Sequence, residues 1–178
     1  MLDFELMQRH LAVEDAVSVL LRGHLWVETI IVELIKAELE VPDAWPELSR
    51  LSWSSKLGLA LAQGNTPDFA SFGVLNRLRN RLAHSPAFEP DASAAMELAR
   101  AVDADLKSFS DVYEIPFERP NPKVDPPAEI LRASIEALLG YLMEALIELL
   151  KLTTQRKVEA LERLQAMIAN KSSPPKVT

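Results

Sequence analysis

The chain has 178 residues, a net charge of −7 and an apolar fraction of 48%, which together predict a folded domain and not a disordered chain. It contains no cysteine, so disulfide scaffolds, thiolate zinc sites and cysteine nucleophiles are excluded. The acidic balance argues against a protein that coats nucleic acid through a uniformly basic surface.

The composition predicts helices, because Leu, Ala and Glu dominate and lose little rotamer freedom in a helix, whereas glycine occurs only 5 times. We expect an all-α, up-and-down helical bundle with a long C-terminal helical segment. It forms a single domain over residues 1–178, with a core over about 14–152 and a C-terminal helix and tail over 153–178. No segment reaches the roughly 18 uninterrupted apolar residues of a membrane span, and the acidic start does not resemble a signal peptide. We therefore expect a cytoplasmic protein with no membrane contact.

Apolar residues at three- and four-residue steps predict six helical stretches, in chain order over about 14–40, 52–63, 68–84, 93–112, 128–152 and 157–169. Gly23 lies inside the first stretch, where a glycine costs about 1 kcal/mol against alanine, so we expect another helix to approach closely there. Ser52 and Asp91 are predicted to begin helices, and Pro67 suits a first helical turn. The stop signals are Pro42, Gly64, Pro86 and five prolines between residues 115 and 127.

The C-terminal stretches form the longest helical segment. Thr153 and Thr154 are expected to bend it, and beyond them the apolar stripe continues at Val158, Leu161, Leu164 and Ile168. At about 40 residues this segment reaches about 60 Å if straight, which exceeds one small domain. We therefore expect it either to fold back or to pack on a partner chain. The apolar residues all around 138–152 favour a homodimer.

A cluster of arginines, an asparagine and a histidine ends the helix predicted over 68–84. At 100° per residue, Leu75, Leu78 and Leu82 share the side that faces the core. The opposite side carries Arg77, Asn80, Arg81 and His84, and Arg79 lies at the border of the core face. Arginine supplies a fixed, planar cation that can pair with phosphate oxygens, and histidine titrates near neutral pH, so these residue types in one cluster point to phosphate chemistry.

The segment LRNRLAH at 78–84 resembles the signature of the HEPN superfamily, in which an arginine precedes a histidine by four to six intervening residues. Arg79 with His84 fits the four-residue spacing and Asn80 fits the polar position after the arginine, although Arg77 with His84 also fits the family spacing. SKLGLA at 55–60, and a preceding helix with RGHL at 22–25 and Glu28, make the layout similar to the mannitol-operon repressor branch. The resemblance covers roughly 14–110.

This resemblance implies a helical homodimer in which both motifs line one cleft. It implies a metal-independent endoribonuclease without a cofactor, acting as a toxin or defence effector beside an antitoxin or other regulatory protein. Arg79, Asn80 and His84 would be catalytic, and Arg77 and Arg81 would bind the RNA. A non-catalytic transcriptional regulator of the mannitol-repressor type is the alternative.

Other polar residues have blander interpretations. His24 is expected to be a packed core histidine or to lie behind the site, and Glu28, four residues on, could share its face. We expect Lys56 to be a surface residue. The three histidines, His10, His24 and His84, lack the spacing of metal ligands, so we expect no metal site.

Overall fold

The computed structural model describes residues 3–39, 46–64, 66–85, 87–109 and 115–171. Within these ranges every regular element is a helix and there is no strand, which confirms the prediction of an all-α bundle with a long C-terminal helix. The elements are α1 Phe4–Leu11, α2 Ala16–Glu38, a 3₁₀ helix Pro46–Arg50, α3 Trp53–Ala62, α4 Ala70–His84, α5 Ala92–Ser108 and α6 Pro127–Lys171.

Three helices begin directly after a residue whose side chain caps their first turn. The carboxylate of Asp15 accepts from the Ser18 amide at 2.7 Å, and Asp91 accepts from the Ala94 amide at 2.8 Å. Ser52 caps α3 as predicted, and Gly64, which follows α3, has φ 73°, a conformation that favours glycine. The helix α1 was not predicted from the sequence, because its 8 residues are too few for a clear period.

The start of α4 differs from the prediction. The helix begins at Ala70 and not near residue 68, and its N-cap residue Phe69 offers no side-chain oxygen. The buried carboxylate of Asp105, on α5, instead accepts hydrogen bonds from the amides of Ala70 and Ser71 at 3.1 and 2.8 Å. A residue 34 positions away in the chain therefore replaces the local cap.

The fold-back alternative for the C-terminal segment is wrong, because α6 is one continuous helix of 45 residues, about 68 Å long if straight. The hydroxyls of Thr153 and Thr154 donate to the carbonyls of Leu149 and Leu150 one turn earlier, each at 2.8 Å. These bonds satisfy the hydroxyls within the helix, and such bonds often bend a helix without ending it, so the bend expected at Thr153 and Thr154 stays a prediction.

Helices α2 and α6 run parallel along the centre of the bundle. Near the start of α6, Arg132 donates to the carbonyl of Leu11, before α2. Further along, Ile135 packs on Gly23, and Thr153 donates to the carbonyl of Ala37. Helices α4 and α5 run antiparallel to each other. The proline-rich segment that follows brings the chain back before α6 begins, and its described part, 115–126, has no helix or strand.

Gly23 allows the close approach that the sequence predicted. A Cβ atom at this position would lie 2.5 Å from Cδ1 and 2.8 Å from Cγ2 of Ile135, which is fully buried.

No helix within the described residues is long and apolar enough to cross a membrane. The predicted stops at Pro42 and Pro86, the predicted end of the fourth stretch near residue 112, and the tail 172–178 lie outside the described residues.

Candidate functional site

The last two turns of α4 present the motif as the helical wheel predicts. Leu75 and Leu78 are fully buried, and Leu82 is half-buried against the core. The side chains of the opposite face lie at the surface, with Asn80 half-buried and Arg77, Arg81 and His84 exposed. The burial of the leucines fixes the rotation of α4 about its axis, and this rotation directs the polar face to solvent.

Two of the three arginines are occupied by neighbouring side chains. Arg77 forms an ion pair with Glu97 of α5. The guanidinium carbon of Arg81 lies 4.1 Å from the centre of the Phe88 ring, in cation–π geometry. Both contacts tie the motif face to the chain that follows it, so they hold the end of α4 against the start of α5.

Arg79 has a different environment from the other two arginines. Its side chain is exposed, and its Nη1 atom donates to Oδ1 of Asn80 at 3.1 Å. Within the described ranges, no carboxylate lies near enough to form an ion pair with Arg79. The Asn80 amide leaves most guanidinium donors of Arg79 open, because that group carries five N–H bonds.

A shallow groove of about 320 Å³ lies beside Arg79, between the beginning of α2 and the end of α4. Its walls are mainly apolar, with Arg79 and Glu89 as charged residues, and the residues that line it are Val17, Leu21, Arg79, Leu82, Ala83, Phe88 and Glu89. The groove therefore offers an apolar surface next to a guanidinium group.

A polar cluster, His24, Glu28, Trp53 and Lys56, lies between α2 and α3. Lys56 is only 4% exposed and its Nζ atom lies 2.5 Å from Oε1 of Glu28, so the expectation of a surface lysine is wrong. Trp53 places its ring 4.4 Å from that of His24. Burying a charge is costly unless it is paired, and Glu28 provides that pair.

His24 is the buried centre of this cluster. Burial has the largest effect and lowers the pKa of His24 below 6.5. Arg79 and Lys56 lower this pKa further, whereas Glu28 and Asn76 raise it. The Nδ1 atom of His24 lies 3.8 Å from Oε2 of Glu28. Its buried Nε2 atom makes no hydrogen bond with the described part of the chain. The influence of Arg79 shows that the polar cluster and the motif are electrostatic neighbours.

The sequence pattern indicated His24 and Glu28 but not the roles of Lys56, Trp53 and Asn76. A signal for Lys56 does exist, since it lies four residues before the buried Ala60 and therefore on the buried face of α3. No comparable signal could have revealed that Trp53 packs on His24, because the two residues come from different helices.

The structure does not bring Arg79 and His84 onto one face of α4. They lie five positions apart, which corresponds to about 7.5 Å along the helix and about 140° around it. Arg79 lines the groove, whereas His84 is exposed at the C-terminal end.

Compared with known proteins, the chain matches no family model, no curated protein and no solved structure.

The described residues contain no group of three or more His, Asp or Glu side chains arranged to hold a metal ion. His10 instead packs its ring near that of Trp26, with the two ring centres 5.8 Å apart. The chemistry available at the motif is therefore that of a guanidinium, an amide and an imidazole on one helix end.

Proposed function

We propose that the protein is a metal-independent endoribonuclease of the HEPN type, working as a toxin or defence effector, with a composite site at a dimer interface. The observation that carries this proposal is the state of Arg79. Its guanidinium is exposed, oriented by Asn80 and free of carboxylate partners within the described chain, on the same helix end as an exposed histidine.

Arg79 is the arginine that we assign to the transition state. Arg77 is paired with Glu97 and Arg81 is stacked on Phe88, so neither guanidinium is as available as that of Arg79. A planar guanidinium can donate two parallel hydrogen bonds to a phosphate. Arg79 would stabilise the charge that develops on the phosphoryl oxygens, and Arg77 and Arg81 would contribute positive potential to RNA binding.

The proposed reaction is the one that the resemblance to the HEPN superfamily implies. The ribose 2′-oxygen attacks the adjacent phosphorus, and its proton passes to a base. The bond from phosphorus to the 5′-oxygen breaks, and that oxygen takes a proton from an acid. His84 would serve at one of these two proton transfers, because an imidazole nitrogen can accept or donate a proton. The products are a 2′,3′-cyclic phosphate and a free 5′-hydroxyl, and DNA is excluded because it lacks the nucleophile.

The divergence of Arg79 and His84 supports a composite site. Within one chain the two side chains leave α4 about 140° apart, so a single phosphate is better enclosed when a second copy supplies part of the set. Two motif ends facing each other across a two-fold axis would place two arginines and two histidines around one cleft. One imidazole could then act as base and the other as acid.

The groove beside Arg79 supports an unpaired nucleotide as the bound group. Its apolar walls include Val17, Leu21 and Phe88, and an unstacked base packs favourably on such surfaces. With Arg79 at its edge, the groove could hold the base while the guanidinium contacts the neighbouring phosphate. RNA binding through these cations should weaken as salt increases.

A non-catalytic regulator of the mannitol-operon repressor type is the second candidate. The same divergence of Arg79 and His84 favours it if the motif ends do not pair, because one chain alone then lacks a base and an acid around one phosphate. This function predicts binding of a nucleic acid or a protein through the motif face without cleavage.

The test is incubation of the purified protein with single-stranded and structured RNA in EDTA. We expect the wild type to cleave and to leave cyclic phosphate ends, and we expect His84→Ala and Arg79→Ala each to reduce the rate at least 100-fold, in line with the loss of an acid–base or oxyanion group. Arg163→Ala is the matched control, because Arg163 is exposed on α6 and remote from the motif.

Equal rates for the Arg79→Ala and Arg163→Ala variants would contradict the assignment of the site. Binding without cleavage by a folded wild type would select the regulator, provided that His84→Ala or Arg79→Ala weakens the binding. Circular dichroism of each variant checks that the helices remain intact.

A further inference from the structure

The C-terminal part of α6 extends beyond the rest of the domain. The last contacts that the described chain makes with α2 are those of Thr153 with Ala37 and of Arg156 with Glu38. Every side chain over 157–165 is exposed. A helix that projects into water gains no stability from tertiary packing, which is the main source of helix stability in proteins.

The projecting part carries an apolar face that begins on the domain itself. We define the α6 seam as the residues that follow each other at alternating steps of three and four along one side of the helix: Ile147, Leu150, Thr154, Lys157, Leu161 and Leu164. The four apolar members are exposed by 40%, 49%, 59% and 53% in chain order. This spacing is the heptad pattern of a two-stranded coiled coil.

The α6 seam lies to one side of the face that packs in the core. Leu142, Leu146 and Leu149 are buried against the bundle, and at 100° per residue they point roughly 50–110° away from the centre of the seam. Nothing in the described chain covers the seam, which forms one side of a shallow surface at Ile147, Leu150 and Thr154.

We propose that a second copy of this chain covers the α6 seam, forming an antiparallel two-stranded coiled coil. In the register that we propose, the two-fold axis passes between Gln155 and Arg156. Ile147 then faces Leu164 of the second copy, and Leu150 faces Leu161. The central layer pairs Thr154 with Lys157, and the symmetry repeats each layer once.

The seam itself argues for a second copy over an unrelated partner. Under this two-fold operation each apolar residue of the seam meets an apolar residue, and each polar one meets a polar one, so the surface is self-complementary as a closed dimer requires. An unrelated protein would not need the seam to match its own reverse.

Charge favours the antiparallel direction. In a parallel, in-register pair, Lys157 would face Lys157 of the second copy within the seam, and like charges at that distance repel. In the antiparallel pair Lys157 lies beside Thr154, and its long stem can carry the ammonium group to solvent. The antiparallel arrangement also places Lys151 on the same flank as Glu162 of the second copy, and these two side chains carry opposite charges.

This pairing is distinct from the one that the proposed ribonuclease site needs. The motif groove is lined by Val17 and Leu21, which precede Gly23, and Gly23 packs at the level of Ile135. At least 20 residues of α6 separate that level from the axis, or about 30 Å. The α6 pair therefore holds two motif sites about 60 Å apart, and it leaves the motif face open for another contact.

Cysteine cross-linking tests the register, and the absence of native cysteine removes any background. Leu150→Cys and Leu161→Cys are prepared as separate variants, mixed under reducing conditions and then oxidised mildly. In the proposed register Cys pairs form only between unlike variants, because like positions of the two copies are about 16.5 Å apart along the helix and a disulfide needs Cα atoms within about 7 Å.

We expect a covalent dimer from the mixture and none from either variant alone. A dimer from a single variant would show parallel pairing and would overturn the proposal, as would the lack of any dimer from the mixture. Sedimentation supplies a second measurement. At tens of micromolar the wild type should be at least twice as heavy as its chain, and Leu161→Glu should halve the mass, whereas the exposed control Gln155→Glu should not.

The same variants separate this inference from the proposed function. Leu161→Glu lies far from the motif, so we expect its rate of RNA cleavage per chain to equal that of the wild type. A lack of nuclease activity in all proteins would leave the mass and cross-linking results to decide the α6 pairing by themselves. A wild type that sediments as a monomer at these concentrations would overturn it whatever the activity.

Discussion

Replacing Gly23 by alanine tests the close packing of α2 on α6. In a helix interior this change gains up to about 1 kcal/mol, because alanine loses less backbone entropy than glycine. Here the new Cβ would lie 2.5 and 2.8 Å from two carbons of Ile135, against about 3.5–4.0 Å for carbons in contact. Ile135 is fully buried, so it cannot move into solvent, and such overpacking costs about 1–3 kcal/mol.

We therefore expect Gly23→Ala to lower the free energy of unfolding by about 1–2 kcal/mol, the overpacking cost less part of the helix gain. The assay is equilibrium urea unfolding followed by circular dichroism. Gly58→Ala is the matched control, because Gly58 lies inside α3 and a Cβ there meets nothing within 4 Å. It should stabilise the protein by up to about 1 kcal/mol.

The partner side of the contact provides a further check. Ile135→Val removes Cδ1, the atom nearest to the new Cβ, so Gly23→Ala should cost less in that background than in the wild type. If Gly23→Ala stabilises the protein as much as Gly58→Ala does, the two helices are not packed as closely as described and the reasoning fails.

Two further predictions concern buried polar groups. Burial lowers the pKa of His24 below 6.5, so the unfolded chain takes up this proton at a higher pH than the folded chain does. The contribution of the neutral His24 imidazole to stability is therefore complete above pH 6.5, and it is lost as the pH falls through that value toward the folded pKa. Urea unfolding between pH 7.5 and pH 5, conditions chosen to bracket that value at roughly one unit on each side, should show a smaller loss of stability for His24→Gln than for the wild type, and identical slopes would refute the assignment. Asp105→Ala should destabilise the protein by about 1–3 kcal/mol, because two amides at the start of α4 lose a charged acceptor. Hydrogen exchange at Ala70 and Ser71 should accelerate in this variant, and unchanged exchange there would show that Asp105 does not cap α4.

The sequence was sufficient where structure depends on neighbours along the chain. Asp15, Ser52 and Asp91 cap helices by bonding to amides three residues on, and such bonds need only local geometry. The rotation of α4 also follows from the spacing of its leucines, so the shared face of Arg77, Arg81 and His84 was predictable from the period of the helix.

The tertiary structure decided which side chains meet across helices. Lys56 is buried because Glu28 of α2 lies beside it, and Asp105 caps α4 because α5 brings it there. The occupation of Arg77 by Glu97 likewise depends on α5.

Gly23 illustrates the division between the two levels of information. Its presence in a helix predicted a close neighbour from conformational cost alone, but only the parallel packing of α2 and α6 identified that neighbour as Ile135. The periodicity of a single chain segment specifies which face is buried, because side-chain directions repeat with the backbone. It does not specify the opposing residue, because that depends on how loops of any conformation arrange the helices in space.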